Sequence, residues 1–421
     1  MTTINLADRS VDLGEWAAAT PNAATVFAEA VRSWLDENLV GEFAELRGRG
    51  GPGSEHEFFA ERLEWDRHLA ASGWTCLGWP SEHGGRGATI EQRIIFHQEY
   101  ARADAPARVN HLGEELLGPT LIEYGTPAQQ ERFLPGIVNV TELWAQGYSE
   151  PGAGSDLAAV ATSAVLDDGA WIVNGQKIWT SLAHLSQWCF VIARTEKQSS
   201  RHKGLSFLLV PLDQPGVTIR PIQQITGTSE FNEVFFDDAR TNADLIVGEP
   251  GDGWKVAMGL LQFERGVSTL GQQVGFRREL DDLIAVARRN GAIDDPEILG
   301  RLRRAKVGLT VMEANARRTL SGDIVSATGA ASVTKLLWAN WHRDLGELSA
   351  AVVGAPTLIG PPATTEGRVN DLRDPEHVEL DEWQRLLLFT RADTIYGGSN
   401  EVQRNIIAER VLGLPREARP A

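Results

Sequence analysis

Two polar segments that contain glycine, Gly147–Asp156 and Asn174–Ser181, carry the side chains whose types and spacing could do chemistry. Within Gly147–Asp156 three hydroxyl groups lie close to glycines, and glycine lets a large ligand approach the backbone. Each segment also pairs an aromatic ring with hydroxyl groups, at Tyr148-Ser149 and at Trp179-Thr180-Ser181. Rings offer stacking faces, and hydroxyls donate and accept hydrogen bonds. This combination suits a flat, conjugated cofactor.

The same two segments also have a purely structural interpretation. The chain has no Walker sequence, and Gly152-Ala-Gly154 lacks the third glycine and the strand-to-helix context of a dinucleotide-binding fold. Pro151 fixes one backbone dihedral, as in many turns. On composition alone an ordinary surface loop is favoured. The repeated pairing of aromatic and hydroxyl side chains is what favours a cofactor site.

Composition limits the classes of protein. The chain has 421 residues and a formal net charge of −17, which disfavours nucleic acid and anionic membranes as partners. Its two cysteines, Cys76 and Cys189, have apolar neighbours and are expected to be reduced thiols, so no disulfide framework or metal site is predicted. No targeting segment or long apolar stretch is found, so we expect a soluble, cytoplasmic protein.

The patterning predicts an α+β protein with three domains. After a loose tail over residues 1–25, helical periodicity predicts an N-terminal helical domain over residues 26–140. Short apolar runs between turn signals then predict a middle β-barrel or β-sandwich over residues 141–250. Its clearest expected hairpin has Asn174-Gly175 as the turn. Residues 251–421 are again helical and are expected to form a C-terminal four-helix bundle.

The C-terminal part begins with a narrow apolar stripe on a predicted long helix, from Val256 to Val274. At about 100° per residue, Glu264 lies at the edge of the stripe and Arg265 lies nearly opposite it. Gly259 and Gly266 nearby are compatible either with room for a ligand or with close helix packing. Near the end of the chain, Asn400–Gln403 has the pattern of a helix N-cap with a capping-box partner.

The order of domains, together with four motifs, resembles the acyl-CoA dehydrogenase family over roughly residues 26–415. The motifs are Tyr148–Asp156, Asn174–Ser181, Gly253–Ala257 and Ile395–Arg404. The resemblance implies noncovalently bound FAD, an acyl-CoA or acyl-carrier substrate, and an electron-transfer flavoprotein as electron acceptor. It also implies a dimer or tetramer, either homomeric or heteromeric, built through the C-terminal helices.

The resemblance also implies roles for individual residues. Those expected to contact the flavin or FAD are Gln146, Tyr148, Ser149, Trp179, Ser181, Ser399 and Glu401. Those expected to contact the substrate are Ser155, Arg265 and Gly398. Each of these positions also has an ordinary explanation as a turn or core residue, and Glu401 in particular could serve a helix N-terminus.

The family reaction removes an α-proton from an acyl thioester while a hydride leaves the β-carbon for the flavin. Many members place the base in a Tyr-Glu-Gly-Thr turn before the last helix, but here Gly397 occupies that position. A minority, including isovaleryl-CoA dehydrogenase, place a glutamate directly before an arginine on the first long C-terminal helix. Glu264-Arg265 matches that arrangement, so Glu264 is the predicted base. A partly exposed glutamate on an amphipathic helix is the alternative.

Two departures from the family pattern leave other functions open. The segments that grip the ADP half of FAD from a neighbouring subunit, Arg-x-x-Phe-Gly and Gln-x-x-Gly-Gly, are replaced by Arg288–Ile293 and Ala351–Pro356. Either the ADP half is held differently, or a neighbouring subunit supplies these contacts, as in a heteromer. In a heteromer the chain would be either the catalytic partner or a subunit that only completes a site. An acyl-CoA oxidase or flavin monooxygenase on the same scaffold is a further alternative. Moving the base to the helix accompanies branched or bulky acyl groups within the family.

Overall fold

A computed structural model describes residues 23–199, 201–263, 268–320, 327–359 and 380–416. Contacts divide the described chain into two compact units. One contains the N-terminal helices, the sheet and helix α6; the other contains helices α7 to α11 with residues 223–228.

The N-terminal part is helical, as predicted. Its helices are α1 (Ala23–Asn38), α2 (Phe59–Ala71), α3 (Ile90–Arg102), α4 (Gly118–Tyr124) and α5 (Pro127–Val138). Thr89 and Thr126 start α3 and α5, and each forms a complete capping box with a glutamine three residues later. A π-helical turn, Leu112–Leu117, leads into α4. Because α1 begins at Ala23, the chain is helical slightly before the predicted end of the tail, and residues 1–22 lie outside the described residues.

The middle part is an eight-stranded sheet in the order β6-β7-β3-β2-β4-β5-β8, with β1 parallel to β4. Its strands are β1 (Trp144–Gly147), β2 (Ser163–Asp167), β3 (Ala170–Ser181), β4 (Trp188–Arg194), β5 (Leu205–Pro211), β6 (Val217–Ile222), β7 (Phe231–Asn242) and β8 (Ile246–Val247). Thr241 Oγ1 on β7 donates to Leu209 O on β5 at 2.5 Å, although these strands are not neighbours in the ladder. The sheet therefore curls around an apolar core, as expected for a barrel or sandwich.

The two faces of the sheet have separate cores. One apolar cluster joins the sheet to the N-terminal helices and to α6 (Gly253–Phe263), with Phe133, Phe190 and Leu260 all buried in it. The other cluster lies within the curled sheet and includes Val191 and Val234. On α6, Gly259 faces α4 so closely that an added Cβ would lie 2.6 Å from the Tyr124 hydroxyl oxygen. This glycine therefore serves close packing, the second of the two explanations considered for it.

The hairpin predicted at Asn174-Gly175 is wrong. Strand β3 runs through these residues, and the tight turn lies earlier, at Asp168-Gly169 between β2 and β3. Both turn residues have positive φ, 45° and 77°, which suits a tight hairpin turn. At Gly175 a Cβ would lie 2.7 Å from Thr162 Cα, and the pairing of β3 with β7 shifts register there. Asn-Gly here permits a close backbone approach and an irregularity in the ladder, not a reversal.

The C-terminal unit is a bundle, as predicted. Its helices are α7 (Ser268–Asn290), α8 (Pro296–Leu320), α9 (Ala327–Val353), α10 (Glu382–Asp393) and α11 (Asn400–Ile406). Helix α9 packs against α7, α8, α10 and α11, and the shared core includes Phe276, Leu309 and Leu345. The predicted stripe crosses α6 and α7, but residues 264–267 lie outside the described residues, so the prediction of one continuous helix is not tested. The predicted domain boundaries also stay a prediction.

Candidate active site

Trp179 lies on a bulge near the end of β3. Lys177 pairs with Val234 and Thr180 pairs with Asn232, so Ile178 and Trp179 together oppose a single residue of β7. Trp179 has φ of 58° and is 55% exposed, which is unusual for so large an apolar side chain. The bulge thus turns an indole ring out of the sheet, where a flat ligand could stack on it.

Asn232 holds this bulge from the neighbouring strand. Its side-chain nitrogen is fully buried and donates to Thr180 O at 3.0 Å and to Glu230 O at 3.4 Å. Leu182 N also donates to Glu230 O at 2.8 Å, so the chain on both sides of Ser181 is bonded to β7 or to the residue just before it. Backbone groups left unpaired by the irregular ladder are satisfied in this way.

A turn at residues 148–153, whose tip is Pro151-Gly152, lies directly beside the bulge. Ile178 N donates to Ser149 O at 2.9 Å, which joins the two predicted cofactor segments through their backbones. The Tyr148 ring is buried edge-on against Phe190 and Phe207, so its aromatic body belongs to the core of the sheet. Ser149 is half-buried. The structure therefore places Ser149 beside the bulge that carries Trp179 and precedes Ser181, while the contact of these residues with a cofactor stays a prediction.

The tip of this turn and the residues after it are open to solvent. Glu150 and Ala153 exchange backbone hydrogen bonds of 2.9 and 3.0 Å around Pro151 and Gly152. A Cβ placed on Gly152 or Gly154 would meet nothing within 4 Å. An exposed indole, neighbouring hydroxyls and an open glycine loop fit a flat, conjugated ring such as a flavin.

An ion pair that the sequence analysis did not single out lies behind these segments. Lys177 Nζ donates to Glu150 Oε1 at 2.8 Å, to Tyr148 O at 3.0 Å and to Ile192 O at 2.8 Å. Burial lowers the pKa of Lys177, partly offset by the Glu150 charge. Burial would raise the pKa of Glu150, but the Lys177 ammonium and nearby donors outweigh it and lower that pKa. Both side chains are buried and charged, and each is the other's counter-ion.

The remaining predicted residues of this unit lie at its edge or along β1. Gln146 is half-buried on β1, opposite Phe190 of β4. Ser155 is exposed in the loop after the turn. Its neighbour Asp156 pairs with Arg201 at 3.0 Å. Predicted catalytic residue Glu264 and predicted substrate residue Arg265 lie outside the described residues.

In the C-terminal unit, the Tyr396–Ser399 turn carries no acid. Gly397 and Gly398 have φ of 60° and 86°, the left-handed conformation that favours glycine. Their carbonyls each accept a hydrogen bond of 3.3 Å from the buried Gln403 side chain. A carboxylate at the position of the common family base is therefore absent from this described turn.

The start of α11 differs from the prediction. Ser399, not Asn400, is the N-cap, and its hydroxyl accepts from Val402 N at 3.4 Å. The glycine turn directs Gln403 toward the turn carbonyls, so this side chain does not complete a capping box. Glu401 is largely exposed and contacts Arg404 at 3.4 Å, an arrangement that fits the helix-terminus explanation as well as a ligand contact.

The described residues contain no group of three or more histidine, cysteine or acidic side chains that could hold a metal ion. None of the helices in the described ranges is long and apolar enough to cross a membrane.

Comparison with known proteins gives three family models in chain order. They are the acyl-CoA dehydrogenase N-terminal domain at residues 22–141, the middle domain at residues 145–239 and the C-terminal domain at residues 251–412. The chain is 66% identical to acyl-CoA dehydrogenase IpdE1 of Mycobacterium tuberculosis, over 93% of this chain and 98% of that protein. It is 62% identical to IpdE1 of Mycolicibacterium smegmatis, again over 93% and 98%.

Solved structures agree with these matches. The Tcur3481-Tcur3483 steroid ACAD matches with a TM-score of 0.79 at 29% identity, over 94% of this chain and 99% of that chain. The ChsE4-ChsE5 complex from Mycobacterium tuberculosis matches with a TM-score of 0.75 at 28% identity, over 95% and 100%. Together with the helical, sheet and helical parts and the flavin-compatible site, these matches confirm the resemblance: the chain belongs to the acyl-CoA dehydrogenase family of flavoprotein oxidoreductases.

Proposed function

We propose that this chain catalyses FAD-dependent α,β-dehydrogenation of an acyl-CoA thioester that carries a branched or bulky acyl group. The observation that carries the proposal is the junction of the two cofactor segments. Trp179 is exposed on a bulge, and its neighbour Ile178 donates to Ser149 O at 2.9 Å. At this junction the Trp179 indole, which offers a face for stacking, lies near the hydroxyl-bearing residues Ser149 and Ser181.

The residues proposed to hold the flavin ring are Gln146, Tyr148, Ser149, Trp179 and Ser181. Ser399 and Glu401 are also proposed to contact FAD, while Ser155, Arg265 and Gly398 are proposed to contact the substrate. When bound, the flavin would accept the hydride that leaves the β-carbon of the acyl group. The chain's own task is to orient the thioester against that ring, exclude water and remove the α-proton.

Glu264 is the proposed base. An α C–H is a weak acid, so its removal needs a carboxylate whose pKa is raised by a dry pocket. Gly397 has no side chain to act as that base, and Glu264-Arg265 matches the alternative family arrangement. Negative charge develops on the thioester oxygen as the proton leaves, so donors placed near that oxygen stabilise the transition state.

The bulky substrate is supported by the helix-borne base and by one solved relative, which is named a steroid ACAD. Ring-bearing, steroid-derived acyl-CoAs are therefore the first substrates to test, beside straight-chain acyl-CoAs. An electron-transfer flavoprotein is the proposed acceptor. An oxidase would instead be reoxidised rapidly by oxygen after reduction by its substrate.

Anaerobic bleaching of the flavin absorbance by a panel of acyl-CoAs tests this function. We expect a bulky acyl-CoA to bleach the wild-type protein and Glu264→Gln to bleach about 10²- to 10⁴-fold more slowly while keeping its flavin. Glu347→Gln is the control, because Glu347 is a carboxylate of α9 that pairs with Arg391 at 2.9 Å. Bleaching of Glu264→Gln at the wild-type rate would contradict the assignment of the base.

A heteromeric enzyme is a second candidate. It is supported by the loss of both ADP-gripping motifs, at Arg288–Ile293 and Ala351–Pro356. It is also supported by the ChsE4-ChsE5 relative, which is a complex of two proteins. Glu264 would make this chain the catalytic partner.

A further inference from the structure

Lys177 and Glu150 link the two segments that the proposed function assigns to the flavin. We propose that this buried ion pair is a positioning device: it fixes the turn at residues 148–153 and the Trp179 bulge relative to each other, and thereby sets the geometry of the proposed flavin-binding site. The proposal rests on the proposed function for the identity of the ligand. Neither residue is proposed to touch the flavin.

All three hydrogens of the Lys177 ammonium are used. They go to three different parts of the chain: the Tyr148 carbonyl in the turn, the Glu150 carboxylate and the Ile192 carbonyl of β4, at 3.0, 2.8 and 2.8 Å. The side chain is fully buried, so water cannot replace these acceptors. Lys177 therefore holds the turn, its own strand β3 and strand β4 at one point.

Glu150 anchors the other side of the turn. Its two carboxylate oxygens accept from Ala161 N at 2.6 Å and Thr162 N at 2.9 Å, just before β2. The carboxylate thus joins the turn to the start of a strand that pairs with β3. Together the two side chains connect the turn to β2, β3 and β4.

Lys177 lies directly before the bulge on β3, so its hydrogen bonds restrict where the bulge lies. Lys177 is the last residue of β3 in regular register with β7 before the bulge, and Trp179 follows two residues later. A Cβ on Gly147 would lie 3.5 Å from Lys177 Cγ and 2.9 Å from Cys189 Sγ. The end of β1 therefore packs beside the lysine stem.

A buried ion pair is not needed to stabilise this site. Apolar residues of similar volume often stabilise a core equally well or better, because desolvation of the two charges offsets their attraction. What an apolar pair cannot supply is directional hydrogen bonds to chosen carbonyls and amides. Those bonds specify where the turn lies relative to the bulge.

The test compares wild type with Lys177→Met/Glu150→Gln, which removes both charges together and so leaves no unpaired buried ion. We expect this full-length variant to fold, to bind FAD roughly tenfold or more weakly, and to show altered visible bands of the flavin that remains bound. The expected tenfold factor is taken by analogy from metal sites, where removing a residue that orients a metal ligand weakens metal binding by about that much or more. Hydrogen exchange of the flavin-free chain should be faster at residues 148–153 and 178–181.

Arg62→Met is the matched control. Arg62 is also a fully buried cation, it donates to Glu57 O and Ala107 O at 2.9 Å each, and it pairs with Glu55 at 3.6 Å, but it lies among the N-terminal helices. We expect Arg62→Met to lower stability without changing FAD affinity in the folded protein. Glu150→Asp is the milder second variant, because it keeps both charges but withdraws the carboxylate from Ala161 N and Thr162 N, and it should shift FAD affinity in the same direction if the double variant does not fold.

The proposal would be overturned by a folded Lys177 or Glu150 variant that has the same FAD affinity, visible flavin bands and hydrogen exchange as wild type. An equal loss of FAD affinity in Arg62→Met would do so as well, because the effect would then follow general stability. If the wild-type protein binds no flavin, alone or with a partner subunit, the proposed function fails. The exchange measurement on the flavin-free chain still decides whether the ion pair fixes the two segments.

Discussion

His342 is held between two carboxylates in the C-terminal bundle. Its Nδ1 lies 2.7 Å from Asp393 Oδ2 and its Nε2 lies 3.0 Å from Glu279 Oε2. With an acceptor at each ring nitrogen, the doubly protonated imidazolium is favoured. Asp393 also accepts from the Tyr396 hydroxyl at 2.7 Å, and its carbonyl accepts from Lys335 Nζ at 2.7 Å. This cluster joins α7, α9 and α10 next to the Tyr396–Ser399 turn.

The cluster predicts a pH dependence of stability. Burial alone would lower the pKa of His342, but the charges of Glu279 and Asp393 and its hydrogen bonds to them raise it to about 9. A histidine pKa raised above its unfolded value stabilises the fold fully below about pH 6.5, and that stabilisation is lost as pH rises through about 9. The shift corresponds to about 3 kcal/mol. We therefore expect His342→Gln to lower the melting temperature at pH 6 and to approach wild type by pH 10.

Calorimetric melting of wild type and His342→Gln between pH 6 and pH 10 checks this expectation. Glu279→Gln is the matched variant, because it removes one of the two carboxylates and should move the loss of stability to lower pH. If the difference in melting temperature between wild type and His342→Gln stays constant from pH 6 to pH 10, the ring carries no extra proton in the folded state.

Residue types indicated part of the site and hid another part. Trp179, Ser149 and Ser181 were predicted because the repeated pairing of rings and hydroxyls suits a flat cofactor and because the family motifs match there. Lys177 was not singled out, since lysine and glutamate are most often solvated. One signal was present: Lys177 lies at even spacing from Trp171 and Val173, which places it on the buried face of β3. Its partner could not be predicted, because Glu150 meets it only when β1, β3 and β4 assemble.

At the scale of elements, β3 depends on a glycine in its interior. Gly175 passes so close to the start of β2 that a Cβ would overlap Thr162. We expect Gly175→Ala to destabilise the protein by about 1–3 kcal/mol, the usual range for overpacking, because Thr162 or the strand must move. Gly152→Ala should be nearly neutral, since a Cβ there meets nothing within 4 Å.

Chemical denaturation of both variants in the flavin-free state measures this difference. If Gly175→Ala and Gly152→Ala have the same midpoint as wild type, the close approach of β2 and β3 is not a constraint on the fold.

Helices were predicted more reliably than strand connections for a physical reason. The 3.6-residue period is local, so it predicted the helical parts from the sequence, although the N-cap predicted at Asn400 lies at Ser399. Asn174-Gly175 has the local chemistry of a turn, yet pairing with β2 and β7 keeps it in a strand. Register and bulges depend on neighbours far away in the sequence, which local patterns do not encode.

At the scale of the whole molecule, the change from helical to strand to helical patterning predicted the order of the three parts. Two family motifs are missing from the chain, and the helix ends near the segments that replace them contact each other in the structure. Asn290 at the end of α7 donates from its side chain to Val352 O near the end of α9, at 2.8 Å. Gly291 and Gly354, with φ of 80° and 75°, then turn the chain after each helix. The ends of α7 and α9 are therefore joined by a hydrogen bond within one chain.

Exposed apolar residues on the C-terminal unit favour an assembled enzyme. Val307 and Val311 lie one turn apart on α8 and are 64% and 50% exposed, and Leu412 and Leu414 after α11 are also exposed. Single exposed apolar residues are ordinary on a protein surface, but Val307 and Val311 are neighbours on one helix and form an apolar pair that the proposed partner would cover. The exposed residues and the replaced motifs together support a partner that completes the binding of FAD.

We therefore expect the chain purified alone to hold less than one FAD per chain. Co-purification with a second family chain that carries the Arg-x-x-Phe-Gly motif should give full flavin content, because the partner would supply the grip on the ADP half. Light scattering and the ratio of flavin to protein measure both properties. A homo-oligomer whose mass is a whole multiple of 46.0 kDa, with one tightly bound FAD in every chain, would contradict this prediction. In that case the ADP half must be bound by residues of this chain other than those of the family motifs.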